Sequence, residues 1–305
     1  MRINVTLLTS MGSLLIGISC AARGSEMGAT GHGVPQDPGR ATTASPEALP
    51  GRVVDVNAGE FFFQAPVSIE AGLTTFRLHQ VGMAAERLRE GSHGRSLVLQ
   101  GGDNTHGVHM LEIFRLEDGK TYIDLVDASR ARAHPPWAKN LGGPIFVFPL
   151  RTMNVTLDLE PGSYALVCPV GSAREDQTRN HILKGMIRPF TVVPATGPKA
   201  TAPRPDLVIR IMKDGTADLS AAVAAERQII NIENTTTEGH ELTFWRLQKG
   251  QLTDDRRALI DRGDLIPWAG LIVPAGGSLM MTIEFEPGTY ELNTSFVKSQ
   301  IITVR

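Results

Sequence analysis

The chain has 305 residues, 42% of them hydrophobic and 20% charged, which is ordinary globular usage and enough for two medium domains. Lys and Arg number 30 against 32 Asp and Glu, a net charge of -2, so nothing in the composition points to nucleic acid or an anionic membrane surface as a partner.

In chain order, Arg2 precedes an apolar run from Val5 to Ile18 that is too short and interrupted to span a bilayer and suits the core of an export signal. It ends in Ile16-Gly17-Ile18-Ser19-Cys20, a permissive bacterial lipobox pattern. Residues 1–20 are therefore expected to direct export to the periplasm or envelope, with Cys20 either lipidated as a membrane tether or lost by cleavage near Ala21-Ala22. Residues 21–51 are rich in Gly, Ala, Ser, Thr and Pro with almost nothing large and apolar to bury, the composition of a flexible linker.

From there on the chain repeats itself. His109-Met-Leu-Glu-Ile-Phe-Arg-Leu and His240-Glu-Leu-Thr-Phe-Trp-Arg-Leu lie at one offset, which also pairs Trp137 with Trp268. Farther on, Glu160-Pro-Gly-Ser-Tyr164 answers Glu286-Pro-Gly-Thr-Tyr290. One domain has been duplicated, with copies expected at 52–195 and 205–305 and a Pro-rich joint at 196–204.

Within the copies, short runs at Phe61–Phe63, Thr74–Leu78, Met110–Leu116, Val155–Leu159, Ser163–Cys168 and Phe190–Val193 are separated by Pro and Gly turns. That rhythm predicts an all-β chain of two tandem Greek-key β-sandwiches. Helical periodicity is weak, and the only short helices expected lie in the inserts at Met83–Glu90 and Asp254–Arg262.

The cysteines carry the chemistry. Cys20 and Cys168 are the only two, and the first is lipidated or removed, so Cys168 is left unpaired in an oxidising compartment unless buried or liganded. Alternation along Tyr164–Cys168 puts Tyr164, Leu166 and Cys168 on one face, turned inward. A loop, Pro169 to Asn180, then leads to His181, Gly185-Met186 and a last strand. Each residue has a plain structural reading by itself: a core thiol, a packed methionine, a hydrogen-bonded histidine.

Taken in order, Cys168, His181 and Met186 entering a final strand resemble the ligand loop of the blue copper proteins, the cupredoxins. The loop is longer than the plastocyanin-like one, and an insert at Gly82 to Asp103 precedes the first histidine. The resemblance implies one copper ion held by Cys168, His181, Met186 and a histidine from an earlier strand, His109, with His106 as runner-up. It further implies one-electron transfer with a redox or copper-trafficking protein of the envelope. A thiolate suits Cu(I), imidazoles accept both oxidation states, and a weak axial thioether raises the potential.

In the second copy, Cys168 aligns with Thr294 and the His and Met equivalents are missing, so that copy is expected to bind no metal although His240 remains. Cys168 is flanked by Val167 and Pro169 rather than histidines, and no hydrolase elbow or phosphate loop is present, so the chain is expected not to be an enzyme. Copper storage or delivery, and a metal-free tandem module binding an envelope partner, are the alternatives. His79, His93 and His134 are expected on the surface without a role.

Overall fold

A computed structural model of the chain describes residues 49–82, 108–145, 147, 151–170, 180–250, 259–260, 263–295 and 298–305. The export signal, the linker before Leu49, the helix expected at Met83–Glu90, and His93 and His106 lie outside the described residues, as does most of Asp254–Arg262.

The first half contains β1 (Arg52–Gly59), β2 (Phe62–Gln64), β3 (Ser68–Glu70), β4 (Gly72–Gly82) and β5 (Glu112–Leu116). After these come helix α1 (Tyr122–Arg130), β6 (Ala138–Asn140), β7 (Gly143–Pro144), β8 (Thr152–Leu159), β9 (Gly162–Val167) and β10 (Ile187–Val193). The second half contains β11 (Leu207–Ile211), β12 (Ala217–Leu219), β13 (Arg227–Asn234) and β14 (His240–Leu247). It ends with β15 (Leu265–Val273), β16 (Ser278–Glu284), β17 (Gly288–Thr294) and β18 (Lys298–Val304). The all-β reading holds. Helix α1 was not expected, although Thr121 and Asp124 form a reciprocal capping box at its start, a pattern visible in the sequence as Thr-x-x-Asp.

One eight-stranded sheet runs through both halves in the order β12-β11-β13-β16-β8-β4-β1-β2. Two five-stranded sheets complete the sandwich, β3-β10-β9-β5-β6 in the first half and β18-β17-β14-β15 with β7 at its end in the second. Parallel pairs, β1 with β4, β3 with β10 and β11 with β13, show that the strands do not simply meander. Among the described residues, strands of the two halves pair at two places. In the large sheet β8 pairs with β16, and the buried Asn154 amide spans the seam by donating to the Thr282 carbonyl at 2.7 Å and accepting from the Thr282 N–H at 2.8 Å. On the other side, β7 pairs with β15 while the Leu111 amide donates to the Pro144 carbonyl. A Cβ on Gly143 would lie 1.9 Å from the Leu111 carbonyl oxygen, so only glycine lets the strand pass there.

Inward side chains of all three sheets form one apolar cluster that includes Phe76, Leu111 and Leu166 from the first half and Phe244, Leu271 and Tyr290 from the second. The repeated Glu-Pro-Gly-x-Tyr segments build the same corner twice: the Tyr164 hydroxyl donates to the Glu160 carbonyl at 2.7 Å, and Tyr290 to the Glu286 carbonyl at 3.0 Å. Between the halves, residues 194–206 carry no helix or strand and are held by Thr196 on Glu70 and Lys199 on Asp158.

Candidate metal centre

Cys168 stands one residue beyond β9, where the alternation of the strand has sent Tyr164 and Leu166 into the main core and Ala165 and Val167 toward α1. Its side chain is therefore inward and fully buried. His109 heads the segment entering β5 and is fixed by a two-way backbone bridge to Val147. His181 opens a short 3-10 helix, His181–Lys184. The Asn180 side chain caps that helix by accepting from the Leu183 amide at 3.1 Å and reaches back to the Ser129 hydroxyl of α1 at 2.8 Å. Gly185, in the left-handed region with φ of 99°, turns the chain from the helix into β10 at no steric cost.

These elements bring His109, Cys168 and His181 together. One ligand atom from each lies within 4.8 Å of the others, and all three residues are buried. Cys168 Sγ is 3.5 Å from His181 Nδ1 and 3.9 Å from His109 Nδ1. An ion bonded to imidazole at about 2.0 Å and thiolate at about 2.3 Å sets those atoms roughly 3.5–3.7 Å apart in a trigonal or tetrahedral arrangement, so the His181 distance matches a shared small ion and the His109 distance lies slightly beyond it. Met186 is fully buried in the same core as Cys168. Its carbonyl accepts from the Cys168 amide at 3.1 Å and its amide donates to the His181 carbonyl at 2.8 Å. His106 lies outside the described residues.

The electrostatics of the thiol depend on what it meets. Burial pushes Cys168 up to about 12, against the pull of the Met110 and Val170 amides, and the nearby Glu112 adds to the rise. The Met110 N–H lies 3.4 Å from Sγ. Sequence reasoning missed these amide donors, Asn180 and Glu112. The first are invisible because they are backbone groups, whereas Asn before a helical turn is a readable cap signal.

The remaining histidines stand apart. His79 Nε2 lies 2.7 Å from Asp55 Oδ1 in a half-exposed contact, and His134 is exposed. His240 Nδ1 lies 2.9 Å from the Ser295 hydroxyl, which also accepts from the Glu241 amide at 3.2 Å. In the second half, a serine hydroxyl thus meets the counterparts of the two donors that face Cys168 sulfur in the first. Alignment had put Thr294 opposite Cys168. The spatial counterpart is the next residue, because Ser295 takes a left-handed backbone turn with φ of 47°.

A thiol at the end of one strand, a histidine on the way to the next, and a second histidine entering the neighbouring strand of the same sheet thus converge. The fold is an all-β sandwich. No protein-family model and no curated protein matches the chain. Among solved structures it is similar to auracyanin from Roseiflexus castenholzii, with 14% identity over 48% of this chain and 100% of that one and a TM-score of 0.28. It is also similar to two proteins of Nitrosomonas europaea. One is a blue copper oxidase, with 10% identity over 83% and 86% of the two chains and a TM-score of 0.23. The other is a copper nitrite reductase, with 12% identity over 84% and 94% and a TM-score of 0.23.

The expectation that the chain is not an enzyme is corrected: the similar structures include enzymes, a blue copper oxidase and a copper nitrite reductase. The residues flanking Cys168 speak only for that position, since a second centre draws its ligands from elsewhere in a chain. Among the described residues no helix is long and apolar enough to cross a membrane.

Proposed function

We propose that this is an exported copper-binding protein whose first half, residues 52–195, holds one copper ion through His109, Cys168, His181 and Met186 and passes single electrons to and from a protein of the envelope. The observation that carries the reading is the buried His109–Cys168–His181 cluster, with two imidazole nitrogens 3.5 and 3.9 Å from one sulfur. A soft thiolate, two imidazoles and a thioether suit copper in either oxidation state, and the ion would supply a one-electron couple.

The protein's own part is to make the thiolate tolerable and the donors fixed. The Met110 and Val170 amides point at the sulfur and would stabilise the charge left when the thiol proton leaves. Asn180 and Gly185 hold the His181 turn, and the bridge to Val147 holds His109. Donors locked by backbone pairing need little rearrangement between oxidation states. Residues 205–305 are read as a degenerate copy without metal, supporting the fold or a partner.

The test is titration of the mature chain with Cu(II). One equivalent and an intense visible thiolate-to-copper band are expected, the band lost in Cys168→Ser. A colourless chain that takes up no copper would overturn the reading.

A further inference from the structure

Glu60 and Phe61 form the turn between β1 and β2. Phe61 has φ of 58°, a left-handed conformation that glycine or asparagine adopts readily and a bulky side chain does not. Such an outlier persists only where its surroundings over-determine it. Here the surroundings belong to the ligand turn. The Phe61 ring stands edge-to-face with the His181 imidazole, centroids 4.8 Å apart at 78°, and the Lys184 ammonium lies 4.3 Å from its centre. The ring also packs against the core that contains Cys168 and Met186. The next residue, Phe62, is 45% exposed, so the turn sends one phenyl onto His181 and leaves the other outside.

We infer that Phe61 is the lid of the metal centre: a positioning residue whose ring, clamped between Lys184 and His181, holds the imidazole in place and closes the path from solvent to it. The inference rests on the copper reading for its purpose but not for its test. Aromatic and cation–π contacts of this kind favour one ring position, and His181 is fully buried beneath it. Glycine at this position would relieve the backbone and lose the ring.

The experiment uses the full apo chain, treated with diethyl pyrocarbonate and read by peptide mass spectrometry, with the exposed His134 as internal reference. In the wild type, His181 is expected to react at least tenfold more slowly than His134. Phe61→Ala and Phe61→Gly should each speed His181 at least fivefold, while Phe61→Leu stays within twofold of wild type. The glycine variant separates a lid from a merely structural residue. It should melt higher than the alanine variant, because its backbone is relaxed, yet expose His181 equally. Unchanged His181 reactivity in Phe61→Ala, or reactivity that follows melting temperature, overturns the inference. A second arm loads the chains with Cu(II) and follows loss to a chelator, expected to be at least fivefold faster in Phe61→Ala, and equal rates there also overturn it. A wild type that binds no copper overturns the copper reading, while the apo arm still decides the lid.

Discussion

Glu112 offers a pH test of the packing beside the centre. Its carboxylate is buried and accepts from the Asn140 amide at 2.6 Å. Burial pushes its pKa from the ordinary 4.5 to about 7, against the pull of Asn140, and the charge on Glu241 pushes the same way. Burial likewise lifts Glu241 to about 7, and its Oε2 has no hydrogen-bond partner among the described residues. Because the folded state keeps a proton that the unfolded chain has already lost, stability is full below pH 4.5, falls as pH rises toward 7 and is flat above. Moving one carboxyl from 4.5 to about 7 corresponds to about 3 kcal/mol at pH 8. Glu112→Gln keeps the oxygen that faces Asn140 and removes the titration. Urea unfolding of the apo chain from pH 4.5 to 8.5 should show the variant gaining up to about 3 kcal/mol at pH 8 and converging with wild type near pH 4.5. Parallel curves, or a variant less stable at every pH, would refute this account of the burial.

Copper uptake must displace the proton held by Cys168, so apparent affinity should rise about tenfold per pH unit between pH 8 and 10, above the carboxyl titrations. A competition titration showing a flat profile would remove the thiolate from the ligand set. Asn154→Ala strands the buried Thr282 carbonyl and amide at the seam and should cost about 2–4 kcal/mol in denaturant unfolding, and a cost near zero would mean the seam does not hold the halves. His109→Ala should abolish the visible copper band while His240→Ala leaves it and the one-ion stoichiometry intact. The reverse pattern would place the metal in the wrong half.

The strands and the inward face of Cys168 were legible because period-2 alternation and Pro-Gly punctuation are written locally. His109, Cys168 and His181 were singled out by a resemblance to a known ligand loop, and the structure gathers the three side chains. Other features depend on tertiary choices. Phe61 reads as the start of a strand, and no residue type announces a left-handed phenylalanine, since the contacts with His181 and Lys184 that hold it are distant in sequence. The Asn154–Thr282 seam joins residues in different copies, and neither copy's pattern names its partner. Helix α1 could have been found from Thr121 and Asp124, but a nine-residue helix with one buried residue, Leu125, leaves almost no periodic signal.

The second copy explains what the first must add to its fold. Both copies present a histidine and the next residue's amide to one acceptor, sulfur in Cys168 and the hydroxyl in Ser295. A hydroxyl at that distance from an imidazole completes a hydrogen bond and asks for nothing more. A buried thiol is a poor hydrogen-bonding partner, and under the proposed copper reading the His181 imidazole and the Met186 thioether would join it as a soft donor set. The difference between the copies is therefore the acceptor atom together with the longer loop from Pro169 to Asn180. This predicts that Ser295→Cys alone creates no copper site: the added thiol should give no visible band with Cu(II) in a Cys168→Ser background. A band there would mean that two donors suffice and that the His181 turn is dispensable.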